Sequence, residues 1–143
     1  MVASAQTFSQ EIRVYYEDTD LGGIVYYANY LKFMERARTE YLRSLGFNQS
    51  VLLEQEKRIF VVRSAEIEFV SPARFDDVLS VTAEVQTVRR ASLRFNQQCR
   101  VVESASAAPG DLLASANVLI ACLDAESFKP CSVPEPLKMV LNH

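Results

Sequence analysis

The sequence predicts an α+β fold in which a curved antiparallel sheet of about five strands wraps around one long helix. Three observations carry this. Only residues 28–45 show sustained helical periodicity. Much of the rest alternates apolar and polar residues in the manner of strands. These strands follow one another with no helix between them, which excludes the crossovers that a parallel sheet requires.

The first strand is Glu11 to Tyr16, with Ile12 and Val14 on one face. The helix runs from about Ala28 to Leu45, and Tyr30, Phe33, Met34, Ala37, Tyr41 and Leu45 form its apolar stripe. Lys32, Glu35, Arg36, Arg38, Glu40 and Arg43 occupy the opposite side, where Arg36 and Glu40 are spaced to pair. Gly46 stands where a glycine stops a helix. The second strand, Ile59 to Val70, carries Ile59, Val61, Ala65, Ile67 and Phe69 against Arg63, Glu66 and Glu68; Pro72 ends it. In Val78 to Val88, Val81, Ala83 and Val85 alternate with Thr82, Glu84 and Gln86. Ser92 to Val102 and Leu112 to Leu123 complete the sheet, and the short link Arg89-Arg90-Ala91 predicts an antiparallel hairpin. A helix with one apolar stripe is buried most simply across the concave face of such a sheet.

The 143 residues make one domain, 1–143, large enough to bury a core without disulfide or metal staples. The net charge of −3 argues against a nucleic-acid surface. No apolar run is long enough to span a membrane, and Met1 to Gln10 lacks the features of a signal peptide. The four glycines form no phosphate-binding fingerprint. Cys99, Cys122 and Cys131 have no C-x-x-C spacing, so a metal site is not expected, and they read as small core residues of a reduced, cytoplasmic protein. The single histidine is the last residue, His143, which excludes Ser–His–Asp and Cys–His catalysis inside the fold.

The chemistry points to Tyr15–Tyr30, YYEDTDLGGIVYYANY. Glu17, Asp18 and Asp20 lie within four positions, flanked by apolar and aromatic residues that would partly desolvate a carboxylate and suit it to act as base or nucleophile. Asp18 and Asp20, two apart, would point the same way in an extended segment. Asp18 reads as an acceptor that shapes the turn, and Glu17 as a surface or supporting residue. Gly22 and Gly23 allow a sharp bend and a close ligand approach. The peptides of Tyr26 to Ala28 then begin a helix, and their unpaired N–H groups suit a developing oxyanion. Tyr26 and Tyr27 are candidates to line an acyl pocket, whereas Tyr30, Phe33 and Tyr41 read as core.

The run YYEDTDLGGIVYYANYLKFMERARTEYL, with FVVRSAEIEFVSPARFDDVL and VRRASLRF, closely resembles the hotdog-fold acyl-CoA thioesterases of the 4-hydroxybenzoyl-CoA thioesterase type. Within them it is most similar to the branch encoded with the bacterial Tol–Pal envelope system. The likeness spans about residues 10–125. It implies a hotdog fold and hydrolysis of acyl-CoA to a carboxylic acid and free coenzyme A. No cofactor is implied, because coenzyme A is part of the substrate. Asp20 matches the catalytic carboxylate, as nucleophile or as general base. Tyr27 matches the residue whose backbone N–H polarises the thioester carbonyl, and Gly23 the turn glycine. Arg89, Arg90 and Ser92 match a segment that contacts coenzyme A phosphates, for which guanidinium pairs are suited. The branch often has histidine where Tyr27 stands, so no imidazole role operates here. Arg63 reads either as a paired inward charge or as a ligand contact. Relatives pair edge to edge, so an obligate homodimer, as a dimer of dimers, is expected, with the site shared between chains and the strand around Arg63 supplying its second side. The alternative is an acyl-CoA or acyl-carrier-protein binding module associated with the envelope system, whose hydrolysis is incidental.

Overall fold

The computed structural model describes residues 7–141. His143 and most of the N-terminal stretch read as carrying no leader lie outside them. Strands β1 (Phe8–Arg13), β2 (Arg58–Phe69), β3 (Val78–Val88), β4 (Ser92–Glu103) and β5 (Leu112–Asp124) form one antiparallel sheet in the order β1-β3-β4-β5-β2. Helix α1 (Tyr27–Ser44) packs on β3 and β1. Helix α2 (Gln49–Val51) runs on into a wide turn at Leu52–Glu56, and α3 (Glu135–Leu141) follows β5. The sequence reading assigned neither α2 nor α3; Leu137 and Leu141 of α3 are fully buried. Among the described residues, no helix is long and apolar enough to cross a membrane.

The alternation dictates the core. Leu79, Val81, Ala83 and Val85 of β3, with Leu93, Phe95 and Cys99 of β4, turn inward onto Phe33, Met34 and Ala37 of α1. Each large side chain buried this way contributes about 1.5–3 kcal/mol. Helix α1 ends as the glycine predicts. Gly46 sits at φ +91°, its N–H reaches Arg43 O at 3.0 Å, and Phe47 N–H reaches Leu42 O at 2.9 Å. The last carbonyls are thereby satisfied.

Four expectations need correction. Strand β1 lies three residues earlier than expected, because Tyr16–Asp18 close a 3₁₀ turn in which Asp18 N–H meets Tyr15 O at 3.0 Å. Glu40 pairs with Arg43 and not Arg36, one turn toward the C-terminus, where a base following an acid is favoured. Arg38, assigned to the solvent face, is buried at 8% exposure, because it shares the face of Met34 and Tyr41. Finally, β2 does not keep one apolar face. The pairing steps from Val62↔Ile120 to Ser64↔Leu119, leaving Arg63 as the extra residue of a bulge. Phe60 and Val62 face inward before it, opposite buried Cys122 and Ile120; Ala65, Ile67 and Phe69 do so after it. Ile59 and Val61 therefore lie on the other face, and Arg63 is exposed.

Candidate active site

The acidic segment is folded against the start of α1. Tyr26 N–H and the Asn29 side-chain amide both donate to Asp18 O, at 2.9 and 2.8 Å. Val25 N–H reaches Ala73 O at 2.8 Å, and Ala73 N–H reaches the Tyr30 hydroxyl at 3.0 Å. The loop, the helix start and the chain entering β3 are thus one hydrogen-bonded unit. Burial pushes the Tyr30 phenol above its ordinary pKa, which keeps it protonated.

Asp18 and Asp20 do different work within this unit. Asp18 Oδ2 accepts Tyr15 N–H at 2.9 Å and closes the 3₁₀ turn, the shaping role expected of it. Asp20 Oδ1 accepts Gly22 N–H at 2.9 Å. The segment is not extended throughout, because Asp18 closes the 3₁₀ turn, and the two carboxylates hold different backbone N–H groups. Gly23, at φ +78°, takes a left-handed conformation that suits glycine and returns its N–H to Asp20 O at 3.0 Å.

Helix α1 begins at Tyr27, whose N–H makes no hydrogen bond among the described residues. The Tyr26 and Tyr27 rings lie 4.9 Å apart, and the neighbouring Tyr27 hydroxyl pushes the Tyr26 phenol above its ordinary pKa. Tyr27, Tyr30, Phe69 and Pro72 line an open apolar depression of about 310 Å³ beside the helix start; Tyr26 does not line it.

The desolvation expected around Asp20 is not supplied by this chain. Asp20 is exposed, as are Tyr15, Tyr16, Tyr26 and Tyr27, because the aromatic residues point out of the turn. Nor does one chain gather all the candidate residues. The Asp20 loop is tied to the chain just before β3, whereas Arg89, Arg90 and Ser92 follow its far end. Ten strand steps separate the two ends of β3, roughly 33 Å at about 3.3 Å each. Arg89 and Arg90 are exposed at the hairpin, where Arg89 N–H bonds Ser92 O at 2.9 Å. Arg63 lies on β2, at an edge of the sheet.

Residues 22–118 match the model of the thioesterase superfamily. The chain belongs to that superfamily. It is 44% identical over 136 residues to the acyl-CoA thioesterase YbgC of Haemophilus influenzae, covering 95% of each chain. A probable thioesterase from Bartonella henselae is 37% identical, with a TM-score of 0.75 over 90% of this chain and 98% of that one. The 4-hydroxybenzoyl-CoA thioesterase of Pseudomonas sp. strain CBS-3, at 22% identity, superposes with a TM-score of 0.82 over 94% and 99% of the two chains, which shows the hotdog fold.

Sequence reading does not bring out the roles of three residues, two at the candidate site and one under the middle of α1. Gly22, read from the sequence for its bend and for close ligand approach, also orients Asp20 through its N–H, and a Cβ there would meet Asp20 Oδ1 at 3.3 Å. Asn29 is buried at 8% exposure one turn into α1; an asparagine in the first turn, where backbone N–H groups are free, is the signal that was available. Gln97, fully buried in β4, carries no signal beyond its place in an otherwise apolar alternation.

Proposed function

We propose that this protein hydrolyses acyl-CoA thioesters, with Asp20 as the reactive carboxylate and the Tyr27 N–H as the group that polarises the thioester carbonyl. The observation that carries this reading is the juxtaposition of the two. An exposed carboxylate, oriented by Gly22, belongs to a loop bonded to the start of α1, and the first N–H of that helix has no acceptor among the described residues. A carbonyl oxygen taken up by that N–H gains from the partial positive charge of the helix N-terminus as negative charge develops on it. Asp20 then either attacks the carbonyl carbon or removes a proton from the water that attacks it. A C–O bond forms as the C–S bond breaks, and the departing thiolate takes up the proton that the attacking water gives up; where Asp20 itself attacks, water then hydrolyses the acyl–Asp20 anhydride to free the acid and restore the carboxylate. No cofactor is invoked.

The site is completed by a second copy. Strand β2 pairs only with β5 among the described residues, and exposed Val62, Phe69 and Val70 lie on or beside its free edge. Antiparallel pairing of two β2 edges reverses the second copy, so its Arg89, Arg90 and Ser92 approach the first copy's Asp20. Those arginines would hold the phosphates of coenzyme A, and Arg63, at the pairing edge, would face the shared cleft. The same cleft would admit a thioester carried on acyl-carrier protein.

The test is release of free coenzyme A from acyl-CoA esters of several chain lengths, with Asp20→Asn beside the parent. Turnover by the parent with a loss on the order of 10³ in the variant is expected. Equal rates would refute the assignment, and acyl-CoA binding without turnover would favour the binding-module reading.

A further inference from the structure

Three free cysteines take no part in the proposed chemistry, and two of them face each other. Cys122, near the end of β5, is fully buried, whereas Cys131, in the segment that leads to α3, is half-buried. Leu123 pairs with Pro130 in an antiparallel bridge, so Cys122 stands opposite Cys131. Cys131 N–H donates to Cys122 O at 2.9 Å, and the two Sγ atoms lie 3.7 Å apart. Opposite residues at a hydrogen-bonded position of an antiparallel pair have Cα atoms about 5.5 Å apart, inside the window of about 4.4–6.8 Å that a disulfide requires. Closing the sulfur gap to a bond of about 2.05 Å draws Cys131 toward β5.

The pair is bonded to the base of the Arg89–Arg90 hairpin. Cys122 N–H donates to Ala91 O and Val133 N–H to Arg90 O, both at 2.8 Å. One run of backbone hydrogen bonds thus joins the hairpin, Cys122 and the 131–133 segment, so a displacement of Cys131 reaches the Arg90 carbonyl two residues on. Burial, and then the neighbouring Cys131 thiol, push the Cys122 thiol up to about 12, which keeps it protonated. Cys131 is the member of the pair that a small oxidant reaches.

We propose that Cys122 and Cys131 are a redox-sensitive pair that hydrogen peroxide closes to a disulfide, and that closure changes how the hairpin holds the phosphates of coenzyme A. The second part rests on the reading of Arg89 and Arg90 given above. The Cys131 thiolate attacks a peroxide oxygen, the O–O bond breaks, and Cys131 becomes a sulfenic acid as hydroxide leaves and takes up a proton. The Cys122 sulfur then attacks the Cys131 sulfur, the S–O bond breaks, and the Cys122 proton leaves with that hydroxide as water. Two thiols lose two electrons in all, and one peroxide becomes two waters. A free thiol reverses the bridge by exchange.

The experiment treats the whole chain with hydrogen peroxide, alkylates it and maps its cysteines by mass spectrometry. Two of the three free thiols should be lost to a Cys122–Cys131 bridge that dithiothreitol reopens, while Cys99 stays a thiol. No bridge, or a bridge to Cys99, overturns the proposal. Binding is then read by calorimetry with desulfo-coenzyme A, which carries the phosphates and has no thiol to open the bridge. Reduced and bridged parent should differ by about fivefold or more in Kd, and the peroxide-treated Cys131→Ser chain should match the reduced parent. Equal Kd for reduced and bridged parent, or a shift that survives in Cys131→Ser, overturns the coupling. If Arg89→Ala with Arg90→Ala leaves the Kd of the reduced chain unchanged, the hairpin reading falls and the coupling with it, while the cysteine map alone still decides the pair.

Discussion

Asp18 Oδ2 closes a turn on Tyr15 N–H, while Asp20 Oδ1 is held by the N–H of Gly22. Asparagine at position 18 retains an acceptor oxygen, so Asp18→Asn should cost less than about tenfold in kcat/KM. Asp18→Ala, which loses the acceptor and loosens the loop, should cost more. Equal losses in the two variants would show that the Asp18 oxygen does not hold the loop. A second residue-scale prediction concerns alkaline stability. Burial pushes the Cys99 thiol up to about 12 from an ordinary value of 9.0. A folded pKa above the unfolded one means that the contribution is complete below pH 9 and is lost as pH rises toward 12. Cys99→Ala should therefore flatten the fall of Tm between pH 9 and 11 relative to the parent, as measured by thermal melts across that range.

Helix α1 carries Tyr27 at its start and the buried Arg38 in its fourth turn, so its boundaries matter. Its C-terminus is fixed by Gly46 at φ +91°, where a Cβ would meet nothing within 4 Å. The penalty of a side chain there is conformational alone, and Gly46→Ala should cost about 1 kcal/mol in urea unfolding. A neutral result would mean that the turn relaxes to another cap. Gln97 ties the middle of the same helix to β3. Gln97→Ala leaves buried Arg38 without its acceptor and should destabilise by about 1–3 kcal/mol in the same measurement.

At the scale of the whole molecule, Asp20 and the Arg89–Arg90 hairpin lie at opposite ends of β3, so a site that uses both, as proposed, needs two copies. Sedimentation equilibrium at micromolar concentration should give a dimer or a dimer of dimers, and a fully active monomer would overturn the shared site. Complementation is a sharper test. An Asp20→Asn chain mixed with a chain carrying Arg89→Ala and Arg90→Ala should regain activity, because one of the two sites in each mixed dimer is then intact. Activity that never exceeds the mean of the separate variants would mean that each site is built within one chain.

Periodicity and elementary chemistry decided much of this protein. One long helix ending at Gly46 and strands linked by a tight turn at Arg89–Ala91 follow from local pattern, as does the choice of Tyr15–Tyr30 as the candidate segment, because each is set by neighbours in the chain. Three features were settled only by tertiary structure. Arg63 reads as part of a strand, and only pairing with β5 shows it to be the bulge that exchanges the faces of β2, since a bulge is a property of two strands. Arg38 reads as a solvent-face charge, and only the packing of α1 against Gln97 makes it a buried donor. The aromatic residues around Asp20 suggest a desolvated carboxylate, yet in one chain they point outward, because desolvation depends on what covers a turn and not on which residues flank it.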